Sequence, residues 1–279
     1  MAVVVKPQIH PLDKYLRTER LPTIYCPGCG IGIALGAFMR AIDRRVNEGT
    51  LDLNKVIWVT GIGCTARSVF YPWVDGAHVL HGRAIAFAMG AVLANPELLA
   101  IVVGGDGDIA GIGGNHLIHA ARRNADMIVV MITNFVYAMT GGQVAPTTPI
   151  GVRTTTTPHG NPEYPMNAVK LVASLNANYV ARASVTTPHY IEQYFYKALG
   201  MRGFRFIEVV STCPEIYGRH IGLRDPLEMF LELKKRVKYK PRPSIEEAEI
   251  DWEKGIVIGE FIERNNPSLL DILFKGVSK

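Results

Sequence analysis

The stretch LLAIVVGGDGDIAGIGGNHLIHAARRNADMIVVMITN, residues 98–134, decides the fold. It holds two apolar, β-branched runs, Leu98 to Gly105 and Met127 to Asn134, with a glycine-rich turn and a helical pattern, Gly113 to Arg123, between them. Runs without polar alternation suit strands buried on both faces, and a helix between two strands carries the chain back to start a parallel neighbour. The unit recurs outward. Lys55 to Gly61, Ala177 to Ser184 and Phe204 to Ser211 read as further strands, and Gly82 to Ala94, Met166 to Asn176 and Pro188 to Leu199 as crossover helices. The expected fold class is α/β, a mostly parallel sheet with helices on both faces.

With 279 residues, 48% apolar and 20% charged, the chain has the composition of a globular domain. The net charge of +5 is scattered apart from KKRVKYKPR, Lys234 to Arg242, and no recognition motif accompanies it, so nucleic acid is not an expected partner. The apolar run of MAVVVKPQIH is too short for a signal peptide, and no stretch approaches the ~20 apolar residues of a membrane span. A cytoplasmic chain keeps its thiols reduced, which makes the four cysteines ligands or redox groups rather than disulfides. Gly141 to Pro165 is a long Pro-, Thr- and Gly-rich loop, of the kind that is usually functional. A domain over residues 1–238 is expected, followed by a C-terminal arm over 239–279 in which Trp252 and Phe261 are available as pins.

Gly105-Asp106-Gly107 ends the first strand of the opening stretch, and Asn134 ends the second. A dinucleotide site would show G-x-G-x-x-G and an acidic residue about twenty positions on; neither is present, and Asp106 would repel a diphosphate. A divalent cation between carboxylate and phosphates reverses that sign. Magnesium takes about six oxygens, several of them from phosphate and water. Asp106 and Asn134 supply one each, and a main-chain carbonyl just beyond Asn134 a third, while the glycines let the backbone approach. Elsewhere, TIYCPGCGIG at Thr23 to Gly32 places Cys26 and Cys29 in a C-x-x-C, which suits a redox dithiol, a zinc knuckle or half of an iron–sulfur ligand set.

YCPGCG, GIGC, HGRA, GGDGD, NFVYAMTGGQ and STCPE, in this order from about Tyr25 to about Pro226, resemble the thiamine diphosphate-binding β subunit of 2-oxoacid:ferredoxin oxidoreductases. The resemblance implies the diphosphate half of a thiamine diphosphate-binding fold. It implies magnesium on Asp106, Asn134 and the main-chain oxygen of Val136, with Gly105 and Gly107 at the diphosphate. By the same resemblance Cys26, Cys29, Cys64 and Cys213 hold one [4Fe-4S] cluster, His81 and Thr140 lie against the cofactor, and Gly63 and Cys64 pass its aminopyrimidine. Met139 and Arg67 match positions facing the substrate. Gly141 stands where relatives carry a lysine.

The implied activity is coenzyme A-dependent oxidative decarboxylation of a 2-oxoacid, with electrons leaving through the cluster to ferredoxin. Arg67, a fixed cation with two-pronged donor geometry, points to 2-oxoglutarate and its distal carboxylate, ahead of pyruvate and of branched-chain or aryl 2-oxoacids. No glutamate is evident for the aminopyrimidine, so an α subunit, or an α/γ fusion, is expected to supply that half-site. Two other readings compete: a zinc-stabilised diphosphate-binding module with no redox role, and half of a non-oxidative thiamine decarboxylase.

Overall fold

The strand Met127–Thr133 is buried along its whole length and divides its side chains between two cores. Ile128, Val130 and Ile132 enter one, and Met127, Val129 and Met131 the other. Period-two alternation of uniformly apolar residues demands cover on both faces, which is what the helices provide. The structure, a computed structural model, describes residues 10–252 and 254–275; the short N-terminal apolar run expected not to be a signal peptide lies almost wholly outside them.

In chain order the strands are β1 (Val56–Thr60), β2 (Asp75–His78), β3 (Leu99–Gly105), β4 (Met127–Thr133), β5 (Val136–Tyr137), β6 (Gln143–Val144), β7 (Tyr179–Ser184), β8 (Phe204–Val210), β9 (Val237–Tyr239), β10 (Ile250–Asp251) and β11 (Gly255–Glu263). Among the described residues nine of them form one sheet in the order β10-β11-β7-β8-β4-β3-β1-β2, with β9 also on β11. Strands β2, β1, β3, β4, β8 and β7 are all parallel, and β11 runs antiparallel to β7. The chain leaves β1 towards β2 and returns to β3 on the other side of β1. This reversal opens a crevice at the carboxyl ends of β1 and β3, the place where open α/β sheets bind ligands.

Helices α1 (Gly30–Asn47), α5 (Pro188–Leu199) and α6 (Pro226–Arg236) cover one face, and α2 (Ala84–Ala94), α3 (Gly114–Arg122) and α4 (Ala168–Ala173) the other. A short helix, α7 (Leu269–Leu273), closes the described chain with a capping box made by Ser268 and Asp271. The basic run Lys234 to Arg242 ends α6, where cations complement the helix dipole, and continues through β9. No helix of the described residues is long and apolar enough to cross a membrane.

The stretch expected as a C-terminal arm carries β11, which extends the sheet edge. Phe261 is buried in the second core with Arg182 over its ring, and Arg182 pairs with Glu208 at 2.6 Å inside the protein. Trp252 meets the Phe135 ring edge-on at 5.3 Å between centroids. The Pro- and Thr-rich loop is irregular apart from the β5–β6 hairpin. Asn161 pins it by donating to the Thr148 carbonyl at 2.8 Å, and Thr148 donates to the Phe135 carbonyl at 2.6 Å.

Candidate active site

Asp106 leaves the end of β3 with its carboxylate 2% exposed. One oxygen, Oδ1, accepts the Gly107 amide at 3.0 Å; the other accepts the Phe135 amide at 2.9 Å and the Thr147 hydroxyl. Burial pushes the carboxyl up to about 6, and these three donors hold it from going further. The side-chain amide of Asn134 stands between Asp106 Oδ1 and the Val136 carbonyl oxygen, at 3.3 and 2.8 Å. With its NH2 turned inward, it donates to both. With its oxygen turned inward, that oxygen stands 3.3 Å from Asp106 Oδ1 and 2.8 Å from the Val136 oxygen, two spacings near the ~2.9 Å edge of an octahedron with 2.0–2.1 Å ligand bonds. Half a turn of one amide thus converts a hydrogen-bonded corner into a donor set that fits magnesium.

Phe135 makes this corner possible. Its φ of 66° is a left-handed conformation that bulky residues avoid. The buried ring anchors it, 5.3 Å from both Tyr217 and Trp252, so the twisted backbone turns the Asn134 side chain and the Val136 carbonyl to the same side. Gly105, Asp106, Gly107, Asn134 and Val136 line one cavity together with Gly63, Cys64, His81, Met139 and Thr140. A side chain on Gly107 would enter the Tyr137 ring, whose hydroxyl donates to the Gly107 carbonyl at 3.2 Å. The cradle therefore stays backbone-lined, as close approach of a diphosphate requires.

A second buried acid, Asp108, was not among the residues picked out by sequence. Its Oδ1 contacts His81 Nδ1 at 3.0 Å and accepts the amides of Gly82 at 2.7 Å and Ile62 at 3.4 Å. Side chains on Gly61, Gly82 or Gly104 would collide with Asp108 or its neighbours Ile109 and Ile112. The carboxylate so joins the end of β1, the turn into α2 and the turn after β3, and it stands beside His81 at the cavity wall. The adjacent G-D-G-D spelling was the only sequence signal for it.

The four cysteines come from three loops. Cys26 and Cys29 precede α1, Cys64 follows β1 and Cys213 follows β8. Their loops are stitched by Thr212 donating to the Gly28 carbonyl at 2.8 Å and by the Gly30 amide donating to the Thr212 carbonyl at 3.2 Å. Gly28, at φ 75°, leaves room for Pro226 and Pro214. All four thiols are free and line one cavity of about 290 Å3, with Tyr25, Arg67, Asn134, Ala138 and Met139. Burial pushes the Cys29 thiol up to about 12 and the Cys64 thiol up to about 11, each raised further by neighbouring cysteines; Cys213 moves the same way. Such thiols ionise only when positive charge arrives among them. The donor set fits an iron–sulfur group. Among the described residues no set of three or more His, Cys, Asp or Glu is gathered so as to hold a single metal ion.

Cys64, Asn134, Ala138 and Met139 line both cavities, so the cysteines and the Asp106 corner share a wall. Arg67 sits on the cysteine side, its guanidinium 5.8 Å from the centre of the Phe70 ring, and Met139 stands 42% exposed between the two. Thr140 is at the rim, where it hydrogen-bonds to Gln143. Every residue expected at the site is therefore brought to one edge of the sheet. Sequence reading missed Asp108, Thr147, Phe135 and Tyr137, whose roles depend on contacts between separate loops.

The family described as thiamine pyrophosphate enzyme, C-terminal TPP binding domain, matches residues 57–209. The chain is 42% identical over 272 residues to the 2-oxoglutarate synthase subunit KorB of Methanocaldococcus jannaschii, covering 97% of this chain and 98% of that one. It is 44% identical over 253 residues to the KorB subunit of Archaeoglobus fulgidus, covering 90% and 91%. Among solved structures it resembles a 2-oxoglutarate:ferredoxin oxidoreductase from Magnetococcus marinus with 2-oxoglutarate, coenzyme A and succinyl-CoA bound, at a TM-score of 0.83 and 30% identity, over 97% of this chain and 91% of that one.

Proposed function

The chain belongs to the β-subunit family of 2-oxoacid:ferredoxin oxidoreductases, and from that membership we propose that it is the thiamine diphosphate subunit of a cytoplasmic enzyme converting 2-oxoglutarate and coenzyme A to succinyl-CoA and carbon dioxide. When bound, thiamine diphosphate supplies the carbanion chemistry that cleaves the 2-oxoacid, and a [4Fe-4S] cluster carries the electrons singly to ferredoxin. Asp106, Asn134 and the Val136 carbonyl hold the magnesium, and Gly105 and Gly107 admit the diphosphate. His81 and Thr140 flank the cofactor, and Gly63 and Cys64 pass its pyrimidine end. Met139 shapes the substrate space, and Arg67 offers its guanidinium to a carboxylate.

The observation that carries this reading is the shared wall. Four free thiols from three loops line one cavity, and Cys64, Asn134, Ala138 and Met139 separate it from the Asp106 corner. A structural zinc would need four thiolates about 2.3 Å from one point, which makes metal and sulfide analysis the measurement that separates it from a cluster. Among the described residues no glutamate lines the Asp106 cavity, and Ile62 in its lining is exposed, as are Leu80, next to the cavity-lining His81, and Ile112, which packs on Gly82. Both facts support a partner subunit that covers the mouth and brings the pyrimidine half-site with its acid. The test is anaerobic reduction of a viologen dye by the purified complex against a panel of 2-oxoacids. 2-Oxoglutarate should give the highest kcat/KM; a preference for pyruvate or an aryl 2-oxoacid would overturn the substrate assignment.

A further inference from the structure

The hydroxyl of Tyr25 is buried and has no hydrogen-bond partner among the described residues. A buried hydroxyl left unpaired costs free energy, and native proteins leave few of them without a reason. The ring is held in place on two sides. Tyr71 packs at 5.8 Å between centroids, and Gly32 in the first turn of α1 lies along the ring edge, where an added Cβ would stand 3.8 Å from Tyr25 Cδ2. The neighbouring hydroxyl of Tyr71 is engaged, accepting the Ile24 amide at 3.0 Å. Tyr25 immediately precedes Cys26 and lines the cavity that holds all four cysteines. Among the described residues, the other buried atoms without a hydrogen bond are Tyr179, Tyr194 and Trp252, which line neither that cavity nor the one at Asp106, and His81 Nδ1 and Asp108 Oδ2, which line only the one at Asp106.

We propose that Tyr25 donates its hydroxyl proton to a sulfur of the iron–sulfur group held by Cys26, Cys29, Cys64 and Cys213, and so tunes its reduction potential. The inference rests on the cluster reading above. A sulfur that gains negative charge on reduction accepts a stronger hydrogen bond, so a donor stabilises the reduced state and raises the potential. Tyr25 would then help the cluster accept electrons from the thiamine side of the shared wall. The residue is a tuning group; it need not touch the substrate.

The experiment compares the anaerobically purified complex as wild type and Tyr25→Phe, a change that removes one oxygen atom and leaves the ring. Iron and sulfide are measured first. A dye-mediated redox titration followed by electron paramagnetic resonance then reads the midpoint potential, and electron–nuclear double resonance in H2O and D2O reads exchangeable protons near the reduced cluster. With cluster content equal, the ratio of reduced to oxidised cluster in the variant at a fixed potential should fall about tenfold, a midpoint about 59 mV lower for one electron. One exchangeable proton coupling of the wild type should be missing. Equal potentials with all couplings retained would overturn the inference while leaving the cluster standing. Zinc without iron in the wild type would overturn the cluster reading and the inference with it. If Tyr25→Phe fails to load, the wild-type spectrum decides, and no exchangeable coupling there rejects the hydrogen bond.

Discussion

Asp108 Oδ1 lies 3.0 Å from His81 Nδ1 and accepts the Gly82 amide at 2.7 Å, so one buried carboxylate holds the turn that carries a cavity-lining imidazole and stands beside that imidazole. Asp108→Ala leaves the Gly82 amide buried without an acceptor, at a cost of about 1–3 kcal/mol, and takes away the carboxylate beside His81. Chemical denaturation should show the lower stability, and 2-oxoacid-dependent turnover should fall alongside it. An unchanged midpoint would mean that the three loops hold together without this carboxylate.

Asp106 sets fold stability against cofactor binding. Its carboxyl is raised by burial to about 6, above the ordinary value of 3.8, so the ligand-free fold binds this proton more tightly than the unfolded chain does. The contribution of this group to stability therefore falls as pH rises from about 4 to about 6, and at pH 7.5 the ionised form is a burden that a cation relieves. Asp106→Asn should lose the rise in cofactor-free melting temperature that the wild type shows as pH falls from about 6 to about 4, and should lose the stabilisation that magnesium and thiamine diphosphate give the wild type. Calorimetric titration and thermal melts check both halves. Equal affinity of the two proteins for the cofactor would remove Asp106 from the metal site.

The fold was legible where burial forces a pattern. β3, β4, β7 and β8 appear within a residue or two of their expected bounds, because strands covered on both faces are mainly apolar, with the buried Arg182, Ser184, Arg205 and Glu208 as exceptions in β7 and β8. β2 was missed, since Asp75, Gly76 and His78 are exposed at the sheet edge and show no apolar pattern. β11 was missed as well; Gly255 and Gly259 interrupt its apolar run, and only pairing with β7 shows that it is a strand. At the site, Asp106 and Asn134 could be read because each ends a strand. Thr147 and Asp108 could not, because their partners belong to other loops and no local spacing records those contacts.

Phe135 holds the Asp106 corner by packing as well as by its backbone. Phe135→Ala removes a buried ring from between Tyr217 and Trp252 and should cost about 3–5 kcal/mol. Affinity for magnesium with thiamine diphosphate should drop too, since the twisted backbone that aims Asn134 and Val136 loses its anchor. A denaturant titration and a metal-binding titration on the same sample separate the two effects. Lost stability with unchanged metal affinity would show that the loop keeps its shape without the ring.

Arg67 lines the cysteine cavity beside Met139. A lost charge-assisted contact is worth about 1.5–3 kcal/mol, so Arg67→Ala should cut kcat/KM for 2-oxoglutarate roughly ten- to a hundredfold and affect 2-oxobutyrate less. Steady-state assays of the complex on both substrates give the ratio. Equal losses would assign Arg67 to the carboxylate common to both, and no loss would place it outside the substrate space.

The central claim is that electrons released from the 2-oxoacid at the Asp106 corner enter a [4Fe-4S] cluster across the wall formed by Cys64, Asn134, Ala138 and Met139. The direct measurement is a rapid-freeze paramagnetic resonance experiment on the anaerobic complex, loaded with thiamine diphosphate and magnesium and assayed for metals, mixed with 2-oxoglutarate and coenzyme A. The expected result is about four iron and four sulfide per chain, and the signal of a reduced cluster appearing within the turnover time. Zinc in place of iron, or a cluster that stays oxidised while succinyl-CoA forms, would contradict the account.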